Sequence, residues 1–287
     1  MIKTNKDRVV MQSVQGQIAH PVAVYPYRIS HEGAPLILPA TGGITYNVQV
    51  GDPAMGWAGD HVEPGVSIKL TETGPNGGLN LLACVGNEAK VVSGDAKGAK
   101  GFVTGTHGGI DHVLIYFHEK DLENMTIGDK ILIKAYGQGL KLLDLPEVMI
   151  MNMDPNLLEK MELHIGKDGI LEVPVVTEVP AYLMGSGIGA VTAVSGDYDI
   201  MTADAGANAA FGLNDLRFGD IVLLQDCDNS YGRGFLKGAV SIGVVVHSDC
   251  VKMGHGPGVT TLMTCKLPKI RGIKDSKANI AHYLGIR

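Results

Sequence analysis

Histidines flanked by glycines recur at three places in this chain of 287 residues. The segments are residues 59–65 (GDHVEPG), 106–112 (THGGIDH) and 247–258 (HSDCVKMGHGPG). Imidazole titrates near neutral pH and is the commonest metal ligand among side chains. Glycine lets the backbone turn tightly and leaves room for a ligand to approach. These segments are therefore the candidate chemical centre of the protein.

The segment at residues 247–258 carries the densest set of candidate metal ligands. His247 follows an apolar run of strand type, and the alternation of side chains along a strand places Asp249 on the same side. His255 returns toward that side across a glycine-rich turn. Two imidazoles and a carboxylate suit a divalent metal, zinc in first place, with one position open for water. The predicted metal ligands are His247, His255 and Asp249, with a strand cap and a plain hairpin as the alternative.

Cys250 and His107 are further candidates for direct chemistry. Cys250 has an imidazole nearby in the sequence, which a nucleophilic thiol needs as its activating base. His107 precedes a turn at residues 108–109, whereas His112 begins an apolar run, so His107 is preferred as a ligand or an acid/base group. A buried thiol and hydrogen-bonded turn histidines are the alternatives. The predicted catalytic residues are His255, His247, Asp249, His107 and Cys250.

The predicted ligand-binding residues are His61, Asp60, Glu63, Gly256 and Gly258. Two acids beside an imidazole orient it and raise its pKa, although a salt-bridged turn explains the same pattern. The two glycines leave space beside the backbone. The functional prediction depends on one spatial expectation, which is that four histidines gather at one cavity: His61, His107, His247 and His255.

Two pairs of aspartates have the spacing of oxygen ligands. Asp197 and Asp199 share a face if they lie on a strand, and Asp226 and Asp228 repeat that spacing. Oxygen pairs suit Mg²⁺ or Ca²⁺, but aspartate is also ordinary at strand ends and turns, and that interpretation is preferred. The glycine-rich loop at residues 185–189 lacks the spacing of a nucleotide-binding motif and is interpreted as a turn.

Composition argues against several classes of partner. The net charge is −6 and aromatic residues make up 5% of the chain, so there is no basic footprint for nucleic acid. No signal-type apolar stretch follows the N-terminus, and no apolar run approaches the ~20 residues of a membrane span. We expect a cytoplasmic protein with a small-molecule partner, no membrane contact and free thiols at its four cysteines.

The elements that position these residues are mostly strands. Glycine contributes 39 residues, dispersed among valine, isoleucine and threonine, which is typical of short strands joined by tight turns. Strands are predicted at residues 44–50, 113–117, 131–135 and 170–176, and short helices at 154–161, 205–216 and 275–286. The regular strand–helix alternation of a Rossmann or TIM fold is absent. We predict a mainly β fold of small barrel or sandwich elements with few short helices.

The predicted domains are two β-rich units, residues 1–150 and 151–287, with interleaving of the two left open. Apolar residues make up 45% of the chain and charged residues 19%. Water-facing monomers usually carry more charge. We therefore expect a homo-oligomer, with a compact β protein of long buried strands as the alternative.

The strings at residues 59–65, 107–110 and 255–261 resemble a prokaryotic family filed only as a domain of unknown function, number four-four-three-eight. The resemblance covers nearly the whole chain. It implies a mainly β, multi-part fold in a cytoplasmic bacterial or archaeal protein, and it implies no activity. A weaker resemblance, at residues 107–109 and 127–139, is to the acetamidase/formamidase family, which is also mostly β. The chain has Gly-Gln-Gly at residues 137–139, where that family has an acidic string.

Two classes of function fit these observations. The first is a metal-assisted hydrolase acting on a small polar, amide-like molecule, with histidines that bind the metal or move protons. The second is a non-catalytic protein whose glycine loops bind a small molecule or build an oligomer. Metal analysis of the purified protein separates the two.

Overall fold

The structure, a computed structural model, describes residues 2–23, 26–185 and 192–286, and this part of the chain is mainly β, as predicted. The strands are β1 (Met11–Ile18), β2 (Arg28–Ile29), β3 (Pro35–Leu36), β4 (Ile44–Thr45), β5 (Gly65–Lys69), β6 (Glu88–Val91), β7 (Lys100–His107), β8 (His112–Phe117), β9 (Lys130–Tyr136), β10 (Met149–Ile150), β11 (His164–Ile165), β12 (Leu171–Val175), β13 (Thr177–Val179), β14 (Tyr198–Asp199), β15 (Ile221–Asp228), β16 (Gly234–Val245), β17 (Gly258–Cys265) and β18 (Ile270–Lys274). The α-helices are α1 (Thr73–Leu82), α2 (Glu119–Leu122), α3 (Pro155–Lys160), α4 (Ala205–Phe211) and α5 (Ile280–Leu284). Short 3₁₀ turns lie at Lys6–Arg8, Ala181–Leu183 and Leu213–Asp215.

Six antiparallel strands close into a barrel in the order β1-β9-β6-β7-β8-β5, and β5 pairs back with β1. Alternation along the strands makes this closure possible. In β9, Ile131 and Ile133 are buried, whereas Lys130 and Lys134 are exposed. A closed sheet covers the strand edges that would otherwise be open to pairing. β4 extends the sheet from β5, outside the barrel.

A second sheet has the order β10-β17-β16-β15-β13, and β14 pairs with the start of β17. All residues of β17 are buried, so its sequence, GVTTLMTC, shows no polar face. One side of the strand meets the barrel. There the Thr260 hydroxyl donates to the carbonyl of Thr106 at 3.1 Å, and the Thr106 N–H donates to Thr260 Oγ1 at 3.3 Å. The end of β7 is thereby fastened to the second sheet.

Several predicted elements are confirmed. Asp154 caps α3, since its Oδ1 accepts a hydrogen bond from the Asn156 N–H at 2.6 Å. α4 and α5 lie within their predicted ranges. The strand predicted at residues 44–50 is wrong beyond Thr45, because the Asp52 carboxylate accepts the Gln49 N–H at 2.7 Å and closes a turn instead.

The predicted division near residue 150 stays a prediction. The barrel strands precede that point, whereas β10, at Met149–Ile150, pairs with β17 of the second sheet. Residues 186–189 of the predicted glycine-rich turn lie outside the described residues. Among the residues described, no helix has the length and apolar character needed to cross a membrane.

Two glycines in opposite surroundings test this packing. Gly77 lies on the exposed side of α1, and a Cβ there meets no atom within 4 Å. Gly77→Ala should raise the free energy of unfolding by about 0.5–1 kcal/mol, because alanine loses less backbone entropy in a helix.

In Gly16→Ala the added Cβ lies 2.8 Å from Ile68 Cδ1 and 2.9 Å from Leu79 Cδ2, so overpacking should lower the free energy of unfolding by roughly 1–3 kcal/mol. Urea unfolding measures both; a stabilising Gly16→Ala would contradict the packing of α1 on the barrel.

Candidate functional site

Four imidazoles from separate segments meet where the barrel adjoins the second sheet. The centroid of the His247 ring lies 4.3 Å from that of His107 and 4.8 Å from that of His61. The His61 ring lies 5.5 Å from His107 and 5.3 Å from His255. The expected gathering of these rings is confirmed, and the expectation that they line one cavity stays a prediction. His61, His107, His247 and His255 are called the histidine cluster below.

Strand ends and turns position these rings. His107 ends β7 and pairs with His112 across the hairpin to β8. His247 follows the end of β16, and His255 lies in the turn before β17. His61, in the loop before β5, has φ of 53°. That left-handed conformation costs a non-glycine residue roughly 1–2 kcal/mol, and strain of this kind is concentrated at functional sites.

Glu63 is a buried carboxylate that orients the rings of His107 and His112. His107 Nδ1 donates to Glu63 Oε1 at 2.5 Å and His112 Nδ1 donates to Oε2 at 2.9 Å, while the Ser67 hydroxyl also donates to Oε2. Burial raises the pKa of Glu63, but the bonds from the two histidines outweigh it and hold the pKa well below its usual range. Because Nδ1 of His107 is engaged, Nε2 remains as its ligand atom, as in metal-binding histidines held by an outer carboxylate.

Two aspartates supply further carboxylates. Asp197 Oδ2 lies 2.7 Å from His247 Nε2, and its Oδ1 accepts the Gly108 N–H at 2.7 Å. His255 Nδ1 donates to Asp199 Oδ2 at 2.9 Å. Burial raises the pKa of Asp199, but its ion-pair contacts with His247 and His255 outweigh it and hold the pKa far below its usual range. Asp199 therefore carries negative charge into the cluster, and Asp197 places a second carboxyl group beside it.

The contact between His247 and Asp197 requires a positive charge at this point of the site. His247 is fully buried, and its Nδ1 donates to the carbonyl of Ser248 at 2.8 Å. Its Nε2 and Asp197 Oδ2 are close, yet neither atom has a hydrogen bond of acceptable geometry. Two such lone pairs repel unless a proton or a metal ion lies near both. Without a metal, burial lowers the pKa of His247, but Asp197 and Asp199 outweigh it and raise the pKa to about 10.

Asp60 anchors His61 on the outer side of the cluster. Asp60 Oδ1 lies 3.3 Å from His61 Nδ1, and Asp60 Oδ2 pairs with Arg28 Nε at 3.1 Å. Burial lowers the pKa of His61, but its contacts with the carboxylates of Asp199 and Asp60 outweigh it and raise the pKa to about 12. Arg28 thus balances Asp60, whereas the other carboxylates face imidazoles.

Cys250 and Asp249 differ in their relation to the cluster. Cys250 lies beside His61, and burial raises the pKa of its thiol, which disfavours a preformed thiolate nucleophile. The Asp249 carboxylate bonds instead to the backbone of Gly56, and burial raises its pKa. The Asp249 carbonyl accepts the His61 N–H at 3.3 Å. Asp249 therefore positions the chain, while Asp197 and Asp199 contact the imidazoles.

Gly256 and Gly258 provide space for the carboxylates. The Gly256 N–H donates to Asp199 Oδ2 at 3.4 Å, and a Cβ on Gly256 would overlap the carbonyl of Ile200. A Cβ on Gly258 would overlap both Asp197 Oδ2 and His247 Nε2. The close contact of that pair therefore requires glycine at position 258.

Three sets of side chains in the described residues bring ligand atoms within 4.8 Å of one another. The first set has three imidazoles, the second combines two imidazoles with a thiol, and the third combines two carboxylates with an imidazole. The sets are His61, His107 and His247; His61, Cys250 and His255; and Asp197, Asp199 and His247.

Sequence reasoning missed the partnership between the aspartates and the histidines. Ordinary strand ends are the preferred interpretation of Asp197 and Asp199 in the sequence, although their alternate spacing is the signal that Asp197, just before β14, and Asp199, in β14, face the same side. The contribution of Arg28 left no signal in the sequence, because Arg28 and Asp60 are distant along the chain. Asp226 and Asp228 lie elsewhere, in β15, where they accept the N–H groups of Gly238 and Ser230.

A cavity of about 280 Å³ adjoins the acids of the site. Its lining includes Asp60 and Glu63 together with Trp57, Asn47 and Gly42. The wall is therefore part carboxylate, part amide and part apolar, and its volume suits a molecule of a few heavy atoms to a dozen.

The fold and the site define a β-barrel protein with a buried histidine–carboxylate centre. Two family models match it: Domain of unknown function (DUF4438), N-terminal, at residues 27–159, and Domain of unknown function (DUF4438), C-terminal, at residues 160–284. The chain belongs to this family, which confirms the stronger resemblance seen in the sequence. The likeness to acetamidase and formamidase stays a prediction.

The chain is also similar to a solved structure described as "Crystal structure of TM1086". The two are 54% identical over 98% of this chain and 99% of that chain, with a TM-score of 0.94. No curated protein matches the sequence. These comparisons establish the family and the fold.

Gly258→Ala tests whether zinc binding depends on the close contact between Asp197 and His247. The added Cβ should displace both side chains and weaken zinc binding at least about 10-fold, the lower end of the effect of disturbing groups around a metal. Isothermal titration calorimetry measures the affinity, with Gly77→Ala as a control whose affinity stays unchanged. Equal zinc affinity in Gly258→Ala and the native chain would contradict this geometry.

Proposed function

We propose that this protein is a metal-dependent hydrolase of a small polar, amide-like molecule. The observation that carries the proposal is the set of three imidazoles, His61, His107 and His247, whose ligand atoms lie within 4.8 Å of one another in a buried, carboxylate-rich centre. Three histidines and an open position are the ligand pattern of catalytic zinc. The outer carboxylates of Glu63 and Asp60 hold two of the rings, as such sites require.

The charges of the centre favour a divalent cation. Glu63, Asp197 and Asp199 are nearly or fully buried, and each faces imidazoles. Burying carboxylates is costly unless positive charge accompanies them. A dication among neutral imidazoles supplies that charge without protonating His61 and His247. Nitrogen ligands suit zinc, and the general order of divalent affinities also places zinc above manganese and iron.

The surroundings of the centre match a small substrate. Side-chain exposure rises from 0% at His247 and 9% at His107 to 32% at His255, so the site opens on the His255 side. The cavity of about 280 Å³ presents Asn47 and Trp57 beside the acids, a lining that can hold an amide by hydrogen bonds and apolar contact.

Amide hydrolysis needs no further reactant in this site. A bound zinc ion supplies its chemistry by lowering the pKa of a water and polarising a carbonyl. The reaction forms a bond between the water oxygen and the acyl carbon and breaks the C–N bond. The water's proton ends on the departing amine, so atoms and charge balance.

The proposal also includes a cytoplasmic compartment, a homo-oligomeric state and a small-molecule partner. Cys84, Cys227, Cys250 and Cys265 are free thiols, which supports a reducing, cytoplasmic compartment. The β15–β16 hairpin exposes Tyr231, Phe235 and Leu236 at 82%, 74% and 41%, and apolar side chains of this kind support a homo-oligomer. The net charge of the whole chain, −6, supports a small-molecule partner over nucleic acid.

Glu63→Gln tests the proposed function. The change keeps the shape of the side chain but removes the charge that orients His107, so zinc affinity should fall about 10–100-fold and hydrolysis of small amides should fall with it. Elemental analysis of the protein as purified and release of ammonia or amine from a panel of small amides measure both. Glu88→Gln, an exposed residue on β6, is the matched control.

Three outcomes bear on this proposal. Chelation should abolish hydrolysis, and added zinc should restore it. Hydrolysis that persists without metal would contradict the metal role. Metal binding without hydrolysis of any amide in the panel would overturn the hydrolase and favour a metal- or small-molecule-binding protein.

A further inference from the structure

We propose that the centre is dinuclear, with a second divalent metal held by His61, Cys250 and His255 and with Asp199 as the bridging carboxylate. The inference deepens the proposed function and rests on its metal centre. It assigns roles to Cys250, His255 and Asp199, which a single metal on three imidazoles leaves without one.

The two oxygens of Asp199 point toward different ligand sets. Oδ1 lies 3.5 Å from His247 Nε2, deep in the centre. Oδ2 lies 2.9 Å from His255 Nδ1 and 3.6 Å from His61 Nε2, on the outer side. A carboxylate with each oxygen turned to a different group of nitrogens has the geometry that bridges two metals about 3.5–4 Å apart.

The outer set has the composition of a zinc site. The ligand atoms of His61, Cys250 and His255 all lie within 4.8 Å of one another. Cys250 and His255 come from one loop, and His61 reaches them in its left-handed conformation. Thiolate and imidazole are the preferred ligands of zinc. A metal also deprotonates a thiol that coordinates it, so Cys250 would bind as a thiolate.

His61 belongs to two of the ligand sets, so the three-imidazole set and the outer set cannot both be complete when two metals are bound. An imidazole uses one nitrogen for one metal, so His61 serves the outer position with Cys250 and His255. The inner position keeps His247 with His107, whose rings are 4.3 Å apart, and gains Asp197. The third ligand set, Asp197 with Asp199 and His247, is already arranged for this purpose. His247 Nε2 and Asp197 Oδ2 are buried 2.7 Å apart without a hydrogen bond of acceptable geometry, so one cation bound to both atoms would stabilise the pair.

Exposure separates the two positions. The His247 side chain is fully buried, whereas His255 is 32% exposed. The outer metal should therefore bind second, exchange faster and meet the substrate first. Two metals would hold the attacking and departing groups of an amide from both sides.

Cobalt titration tests this arrangement. Co²⁺ added to chelator-treated full-length protein should bind with a stoichiometry of two per chain. A thiolate-to-cobalt absorption band in the near ultraviolet should grow mainly with the second equivalent, because Cys250 belongs to the outer position. In Cys250→Ser and His255→Ala the stoichiometry should fall from two to one, and in Cys250→Ser the band should vanish. Cys265→Ser replaces a buried thiol away from the histidine cluster, so this variant should keep both the stoichiometry of two and the thiolate band.

The outcomes separate this inference from the proposed function. Saturation at one Co²⁺ per chain, or two bound ions without a thiolate band, would overturn the dinuclear centre. Two bound ions with the band but no amide hydrolysis would support the centre and overturn the hydrolase. One bound ion with amide hydrolysis would support the hydrolase and overturn the dinuclear centre. Thermal unfolding and circular dichroism of each variant exclude loss of the fold as the cause.

Discussion

The pairing of buried carboxylates with imidazoles is the interaction on which the rest of this structure depends. Glu63, Asp197 and Asp199 are nearly or fully buried, and each lies within 3 Å of a histidine nitrogen. The unpaired burial of even one such charge costs several kcal/mol, a large part of the stability of a typical domain. Positive charge beside these carboxylates therefore stabilises the junction between the barrel and the second sheet.

The surrounding architecture holds these charges together at close range. The bonds between Thr106 and Thr260 bring the end of β7 against β17, and the Thr106 hydroxyl also accepts the N–H of Gly196 at 2.9 Å. This places His107 beside the segment that carries Asp197. Gly258 then leaves the space in which Asp197 and His247 meet. Backbone contacts therefore determine the distances between the side chains of the site, and the charges of those side chains determine what chemistry the site can perform.

Local sequence patterns predicted the fold class, several elements and part of the site. The strand β9 and the helix α3 could be located because alternation and an Asp-Pro cap are properties of a few adjacent residues. The gathering of the histidines could be anticipated because glycine marks each turn that carries one. The strand predicted through residue 50 failed because the Asp52 side chain competes for the backbone, which hydropathy does not register.

The carboxylate partners were harder to foresee for a physical reason. Asp249 is close to His247 in sequence, yet its carboxylate turns to the backbone of Gly56. Asp197 and Asp199 reach His247 and His255 from about fifty residues away through the pairing of β14 with β17. Sheet register determines such contacts, and a single sequence contains no direct record of that register. Residue types thus indicated the chemistry of the centre, but topology determined its members.

Crystals of this protein grown with zinc, measured at the zinc absorption edge, test the central claim most directly. The account predicts an anomalous peak among His107, His247 and Asp197 and a second peak beside Cys250 and His255, with Asp199 between them. Peaks confined to surface side chains, with His247 Nε2 still against Asp197 and no zinc between them, would contradict it.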